Sequence, residues 1–264
     1  VDGYVETLSS FIAGQVLVRA GSRQLGGTTT QAPSKLTGGG EVAFAGKRYS
    51  VYSLSGTRFP SGPLRVYVLA PNPPASGCAR SRAETVADTI GQAGVEIYRQ
   101  EQSGPRTKLA VRDFEHSRAF REAVLADNPT ATHAAIVTFF KTQLHVVRVR
   151  ATLGEKLVLD LGGPHVLAPV RGDVRNAQGR VVGHFLLSIQ DDLGYLLLAN
   201  RFTGAQVLLR QGSEQIMGTL SPGPAQIPNR GMVVYGGVRY RAYSFVADAF
   251  PKGTLRISLL IPAG

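Results

Sequence analysis

The chain has 264 residues, of which 43% are hydrophobic and 18% charged, and 29 basic against 18 acidic groups give a formal net charge of +11. This composition fits one large folded domain or two small ones and excludes wholesale disorder. The single Cys excludes a disulfide framework and a cysteine-based zinc module. No apolar run reaches the roughly 18 residues of a membrane span, and no signal-peptide pattern opens the sequence, so it reads as a mature protein or as a soluble piece of a longer one. The basic excess suggests polyanions, but Arg outnumbers Lys 23 to 6, a bias that genome composition explains.

The strongest signal is an internal repeat. Residues 15–71 align without a gap onto 206–262, at an offset of 191, with 24 identities over 57 positions. Gln15-Val16-Leu17 matches Gln206-Val207-Leu208, and Phe59-Pro60 matches Phe250-Pro251. The match runs back through Phe11/Phe202 to Tyr4/Tyr195. This is a duplication. Each copy reads as five short strands with no helix of its own, with Thr28–Gly40 and Ser221–Arg230 as Pro/Gly-rich loops. The expected organisation is a β-rich unit over 1–71, a Pro-rich linker over 72–79, and a domain over 80–264. That domain divides into helices (80–144), a first β-block (145–204) and a second β-block (205–264). Either 1–71 is the last third of a second such domain, whose remainder would lie upstream of Val1, or only this β-rich third is duplicated and flanks a unique middle.

Beyond the linker, Ala83, Val86, Ile90, Ala93 and Ile97 recur at spacings of 3 and 4, which predicts one long helix with an apolar stripe. Gly91 and Gly94 weaken its intrinsic propensity, so it should depend on packing. Asp113 is the expected N-cap of a helix through Ala126, and a third helix is expected over Ala131–Leu144. Strands are expected at His145–Ala151, Leu157–Leu161, His165–Arg171 and, after an Asn176–Gly179 turn, Arg180–Gln190. Asp191 should cap a short helix over Asp192–Asn200.

The runs His145-Val-Val-Arg-Val-Arg150, Leu157-Val-Leu-Asp-Leu-Gly-Gly-Pro-His165, Leu167-Ala-Pro-Val-Arg171 and Gly179-Arg-Val-Val-Gly-His-Phe-Leu-Leu-Ser188 resemble the Cache (PAS-like) extracytoplasmic sensor domains of bacterial receptors. Gly236–Tyr240 through Gly253–Ile257 resembles the same plan again. The resemblance covers about 80–262, with 3–71 as a partial second example. It implies an α+β fold: PAS-like antiparallel sheets with a long N-terminal helix and covering helices, here with a duplicated five-stranded β-unit. It also implies an outward-facing location and a small-molecule ligand, often a carboxylate or amino acid. The sequence departs from the family in placing β-structure and a Pro-rich linker before the long helix.

No nucleotide-binding, zinc-protease or hydrolase signature is present, and the five His residues have no ligand-like spacing. We therefore expect no enzyme, metal or cofactor. The candidate ligand site is the polar face of the 145–190 block. Alternation puts Arg148 and Arg150 on one side of a strand, and His184 and Ser188 on one side of another. Asp160, His165 and Arg171 lie in the adjoining segments, and Tyr195 lies beside them. An Arg fork suits a carboxylate if helices cover both faces of the sheet; a solvent-facing Arg-lined surface is the competing reading. Fold maintenance is the favoured explanation of the retained Arg48/Arg239, Tyr49/Tyr240, Tyr52/Tyr243 and Arg65/Arg256 pairs.

The expected function is small-molecule sensing in a bacterial signalling receptor, outside the cytoplasm. The expected partners are a small anionic metabolite, a second copy in a homodimer, and a membrane-anchored remainder or partner protein, with no nucleic acid. The alternative is a structural or interaction protein of the cell envelope using the duplicated units as contact surfaces.

Overall fold

The duplicated sequence folds the same way twice. The computed structural model describes residues 1–56, 63–72, 81–164 and 166–263. Most of the Pro-rich linker, Cys78, His165 and the Phe59-Pro60 motif lie outside them. The first copy has strands β1 (Gln15–Ala20), β2 (Arg23–Gly27), β3 (Gly39–Phe44), β4 (Lys47–Ser55) and β5 (Leu64–Pro71) in the antiparallel order β2-β1-β5-β4-β3. The second has β10 (Gln206–Gln211), β11 (Glu214–Gly218), β12 (Arg230–Tyr235), β13 (Val238–Asp248) and β14 (Thr254–Pro262) in the order β11-β10-β14-β13-β12. A register shift falls at Val18/Arg19 in one copy and at Leu209/Arg210 in the other. Thr28 Oγ1 accepts the Val16 N–H at 2.9 Å, and Thr219 Oγ1 accepts that of Val207 at 2.8 Å.

The repeat also carries a helix, contrary to the all-β reading of the unit. Helix α1 (Asp2–Phe11) precedes the first sheet and α6 (Asp192–Thr203) precedes the second. Tyr4 and Phe11 of α1 pack on Phe202 of α6, with ring centroids 5.3 and 5.4 Å apart.

Helix α2 (Arg82–Ser103) starts with a reciprocal cap: Ser81 Oγ accepts the Glu84 N–H at 3.3 Å and the Glu84 carboxylate accepts the Ser81 N–H at 2.8 Å. Its stripe residues Ile90, Ala93 and Ile97 are fully buried. They sit in one core with Val16, Val18, Val66 and Val68 of the first sheet and Val207, Leu209, Ile257 and Leu259 of the second. Each such buried aliphatic group contributes about 1.5–3 kcal/mol. The outer face of each five-stranded sheet carries a smaller core under its Pro/Gly-rich loop, built around Tyr49, Tyr67 and Leu69 in one copy and Tyr240, Leu260 and Ile227 in the other.

Between the two copies lie α3 (Pro105–His116), α4 (Arg118–Leu125), α5 (Pro129–Thr142) and a third sheet of β6 (Arg148–Leu153), β7 (Lys156–Gly162), β8 (Val170–Arg175) and β9 (Val181–Ser188), in the order β7-β6-β9-β8. Asp113 does not cap a helix here. It lies inside α3, where its carboxylate accepts from Gln143 Nε2 at 2.8 Å, and Ser117 caps α4 by accepting the Phe120 N–H at 3.3 Å. Helix α5 starts at Pro129, a residue preorganised for the first helical position, after an Asn128 cap. The segment expected as a strand over His165–Arg171 instead makes isolated bridges at Val166 and Leu167, and pairing with β9 begins at Val170.

The molecule is thus α+β, with three antiparallel sheets, a long helix and a duplicated five-stranded unit. Among the described residues, no helix is long and apolar enough to cross a membrane.

Candidate functional site

The third sheet has one dry face and one wet face. Val149, Ala151, Phe185 and Leu187 point at α3, α4 and α5, where Phe114 contacts Phe120 and Phe185 with centroids 4.8 and 5.2 Å apart. The helices cover this face only, so the condition under which the polar face would need a bound anion is not met.

On the open face, strand register gathers part of the expected constellation. Arg150 lies opposite Asp160 on one side and Leu186 on the other, and Leu186 lies opposite Arg171. Arg148 Nε and Nη2 form a fork on Asp160 at 2.8 and 3.0 Å, and Arg150 Nη1 reaches the same carboxylate at 3.1 Å. Arg148 Nη1 also donates to the carbonyls of Gly163 and Pro164, both at 2.8 Å, and its guanidinium lies 4.7 Å from the Phe250 ring centroid. Burial alone would raise the Asp160 pKa. The hydrogen bonds and charge of Arg148, then of Arg150, outweigh it and hold the carboxyl below its ordinary value. The fork expected to take a ligand carboxylate holds the chain's own.

His184 and Ser188 keep to the face of the arginines, opposite Thr152 and Arg148 in the ladder, but neither joins the cluster, and the other described members lie apart. His184 Nδ1 is 3.1 Å from an Asp173 carboxylate oxygen, and Arg171 is exposed. Ser188 is fully buried, and its one hydroxyl hydrogen donates to the Leu167 carbonyl at 2.6 Å, with the Gln190 carbonyl also within reach at 3.0 Å. Tyr195 is in a different core, where its hydroxyl donates to the Gly94 carbonyl of α2 at 2.9 Å. Asp191 caps α6 by accepting the Gly194 N–H at 2.6 Å. Its neighbour Asp192 is buried, and neither carboxylate oxygen has a hydrogen-bond partner among the described residues. Burial and then the Asp191 charge push the Asp192 pKa up to about 7.

A cavity opens on the inner face of the first unit instead. It has a volume of about 930 Å³, in the range of small-molecule sites. Val18, Tyr52, Leu54, Leu64 and Val66 of the sheet form its floor, and Tyr4, Asn200, Arg201 and Gly204 form its rim. Gly204 ends α6 in the left-handed region (φ 67°), and a Cβ there would stand 3.0 Å from the Tyr52 hydroxyl. Tyr52 donates to the Thr203 carbonyl at 3.0 Å, and burial pushes its phenol up to about 12. Burial raises the Tyr4 phenol as well, against the opposing charge of Arg201. Both phenols are therefore neutral at physiological pH, and Arg201 supplies positive charge at the rim.

The second unit shows why the first is hollow. At the offset of 191, Val18, Leu54, Ser55, Gly56 and Val66 are replaced by Leu209, Phe245, Val246, Ala247 and Ile257. The first copy has the smaller side chain at every one of these positions. The second unit has a smaller cavity of about 450 Å³ beside the matching stretch of β13 (Tyr243, Phe245, Val246 and Ala247), against α2, and neither Leu209 nor Ile257 lines it.

No protein-family model matches the chain, and no curated protein does. Among solved structures, the chain is similar to the periplasmic domain of Vibrio cholerae LuxQ, with 9% identity and a TM-score of 0.38, over 69% of this chain and 97% of that one. It is also similar to an extracellular ligand-binding receptor from Desulfohalobium retbaense, with 10% identity and a TM-score of 0.40, over 84% of this chain. It spans about half (47%) of that receptor chain. At TM-scores below 0.5 these are distant likenesses, and the site rests on its own geometry.

The cleft was missed in the sequence because strand alternation marks charged faces and is blind to voids. The usable signal was the row of size differences between the two copies.

Proposed function

We propose that the chain is a sensing module of a bacterial signalling receptor, working outside the cytoplasm, and that a small organic anion with an apolar body occupies the cleft of the first unit. The observation that carries this reading is the hollowing of one copy of a duplicated fold: five smaller side chains, and a cavity about twice the size of the one beside the matching strand of the other copy. The floor is apolar and takes the body of the ligand by burial. Arg201 takes its carboxylate, and Asn200, whose Nδ2 donates to the Ala205 carbonyl at 2.8 Å, keeps its amide oxygen for a donor on the ligand.

The packed interior of the 145–190 block speaks for the alternative, an envelope contact protein, as far as that block is concerned. The two readings separate in one experiment. Organic carboxylates and amino acids are screened by thermal shift against the wild type and against the variant Val18→Leu/Leu54→Phe/Val66→Ile, which gives the first unit the side chains of the second. The expected result is a ligand that raises the wild-type Tm, does nothing for the filled variant, and binds about tenfold more weakly to Arg201→Gln. A response that survives in the filled variant, or no response to any compound, would sink the reading.

A further inference from the structure

The outer face of the second unit carries a pair of arginines with no counter-charge among the described residues. Arg210 of β10 and Arg256 of β14 are direct cross-strand partners. Like charges directly opposite each other are destabilising. Neither makes an ion pair with any described residue, whereas Arg148, Arg150 and Arg230 all do. Each guanidinium offers five N–H donors. Arg210 uses its two Nη atoms on the Ala225 and Pro224 carbonyls, and Arg256 uses Nη2 on Ile227 O and Asn229 Oδ1 at 2.6 and 2.9 Å. Both Nε groups are buried with no partner. A cavity of about 460 Å³ lies between the two arginines and the Gly212-Ser213 turn.

The first unit keeps the same group. Arg19 and Arg65 are cross-strand partners, Gly21-Ser22 forms the turn, and Arg19 donates to the Ser34 and Pro33 carbonyls at 2.8 and 2.6 Å. In the second unit both arginines hold the loop, Arg210 at Pro224 and Ala225 and Arg256 at Ile227 and Asn229, yet these neutral acceptors leave two like charges directly opposite each other without neutralisation.

The geometry points to an oxyanion site of the phosphate class at Arg210, Arg256 and the Gly212-Ser213 turn, separate from the cleft of the first unit. A compact dianion between two guanidinium groups removes their repulsion and takes up donors left over from loop binding. The source is either a free anion or the headgroup of an anionic lipid, which offers the same chemistry.

Inorganic phosphate is titrated at ionic strength held constant with chloride, and the Tm and the binding isotherm are read for wild type, Arg256→Gln and Ser213→Asp. Ser213→Asp leaves both arginines and the loop contacts in place while supplying an internal carboxylate. Wild type should show a saturable Tm rise. Arg256→Gln should bind about tenfold more weakly or worse, and Ser213→Asp should lose the response without losing its phosphate-free Tm. Vesicles of phosphatidylcholine with and without phosphatidic acid are sedimented with the same proteins. Capture that depends on Arg256 assigns the lipid source, and a phosphate response without capture assigns the free anion. Equal phosphate binding by all three proteins, or a shift that chloride reproduces, overturns the proposal.

Discussion

A Cβ placed on Gly91 would stand 1.9 Å from Cγ of Tyr243. The glycine in the middle of α2 is therefore the seat of an aromatic ring from β13. The ring has no room to move aside: its hydroxyl donates to Gln92 Oε1 at 3.1 Å, and the Arg230 guanidinium lies 3.3 Å from its centroid. Ala in place of Gly gains about 1 kcal/mol of helix propensity, but overpacking a filled core costs about 1–3 kcal/mol and a backbone-centred clash sits at the upper end. Gly91→Ala should lower the unfolding free energy by about 2 kcal/mol in a denaturant titration. A variant as stable as wild type would show that the ring is not held there.

Asp192 gives the fold a pH dependence of known sign. Its folded pKa of about 7 lies above its ordinary 3.8, so the folded state holds the proton more tightly than the unfolded one. The stability it contributes is fully present below about pH 4 and is lost as pH rises through 7. Asp192→Asn should flatten the stability profile between pH 5 and 8 and exceed wild type at pH 8, by on the order of 2 kcal/mol after allowance for relaxation around the buried charge. Equal slopes for the two proteins over that interval would remove Asp192 from the account.

Asp160 acts in the opposite sense. Its pKa is held down by Arg148 and Arg150, so its contribution is present at neutral pH and disappears as pH falls below the ordinary carboxylate range. Asp160→Asn should cost about 1–3 kcal/mol at pH 7, since it leaves two half-buried guanidinium groups short of an acceptor. The loss should shrink on acidification to pH 3, measured by the urea midpoint at each pH.

Tyr195→Phe isolates a single hydrogen bond. The ring stays and the Gly94 carbonyl loses its donor, at a cost of about 1–2 kcal/mol. Because Tyr195 is fully buried away from the cleft, ligand affinity should be unchanged. A change in affinity with unchanged stability would place it in the site.

Short-range patterns reported most of this fold. The 3-and-4 spacing of Val86, Ile90, Ala93 and Ile97 located α2, and the Asn176–Gly179 turn located the β8–β9 hairpin. Helix α1 escaped because it starts on Val1, which makes no side-chain capping bond. The candidate site was half legible. Alternation placed Arg148 and Arg150 on one face, but the partner that satisfies them is set by pairing with β7, whose register shifts between Ala151 and Thr152. Nothing within a strand reveals that Asp160 lies opposite Arg150. Alternation placed Ser188 on a polar face, and it does lie opposite Arg148, but its bond to the Leu167 carbonyl, like that of Tyr195 to Gly94, depends on chain segments brought in by the tertiary fold.

The gap-free alignment of the two units gives the molecule an internal control. A substitution at a paired position of β1 has a twin 191 residues away in β10, at the same ladder position and beside the same bulge, and one at a position of β4 paired with β5 has its twin in β13. The strand pairing is matched while the side chains around it differ, so a difference in stability between twins, such as Tyr52→Phe against Tyr243→Phe, reports the surroundings: the Thr203 carbonyl in one case and the Gln92 side chain in the other. The effect of tertiary context is thereby read within one molecule, under one set of conditions.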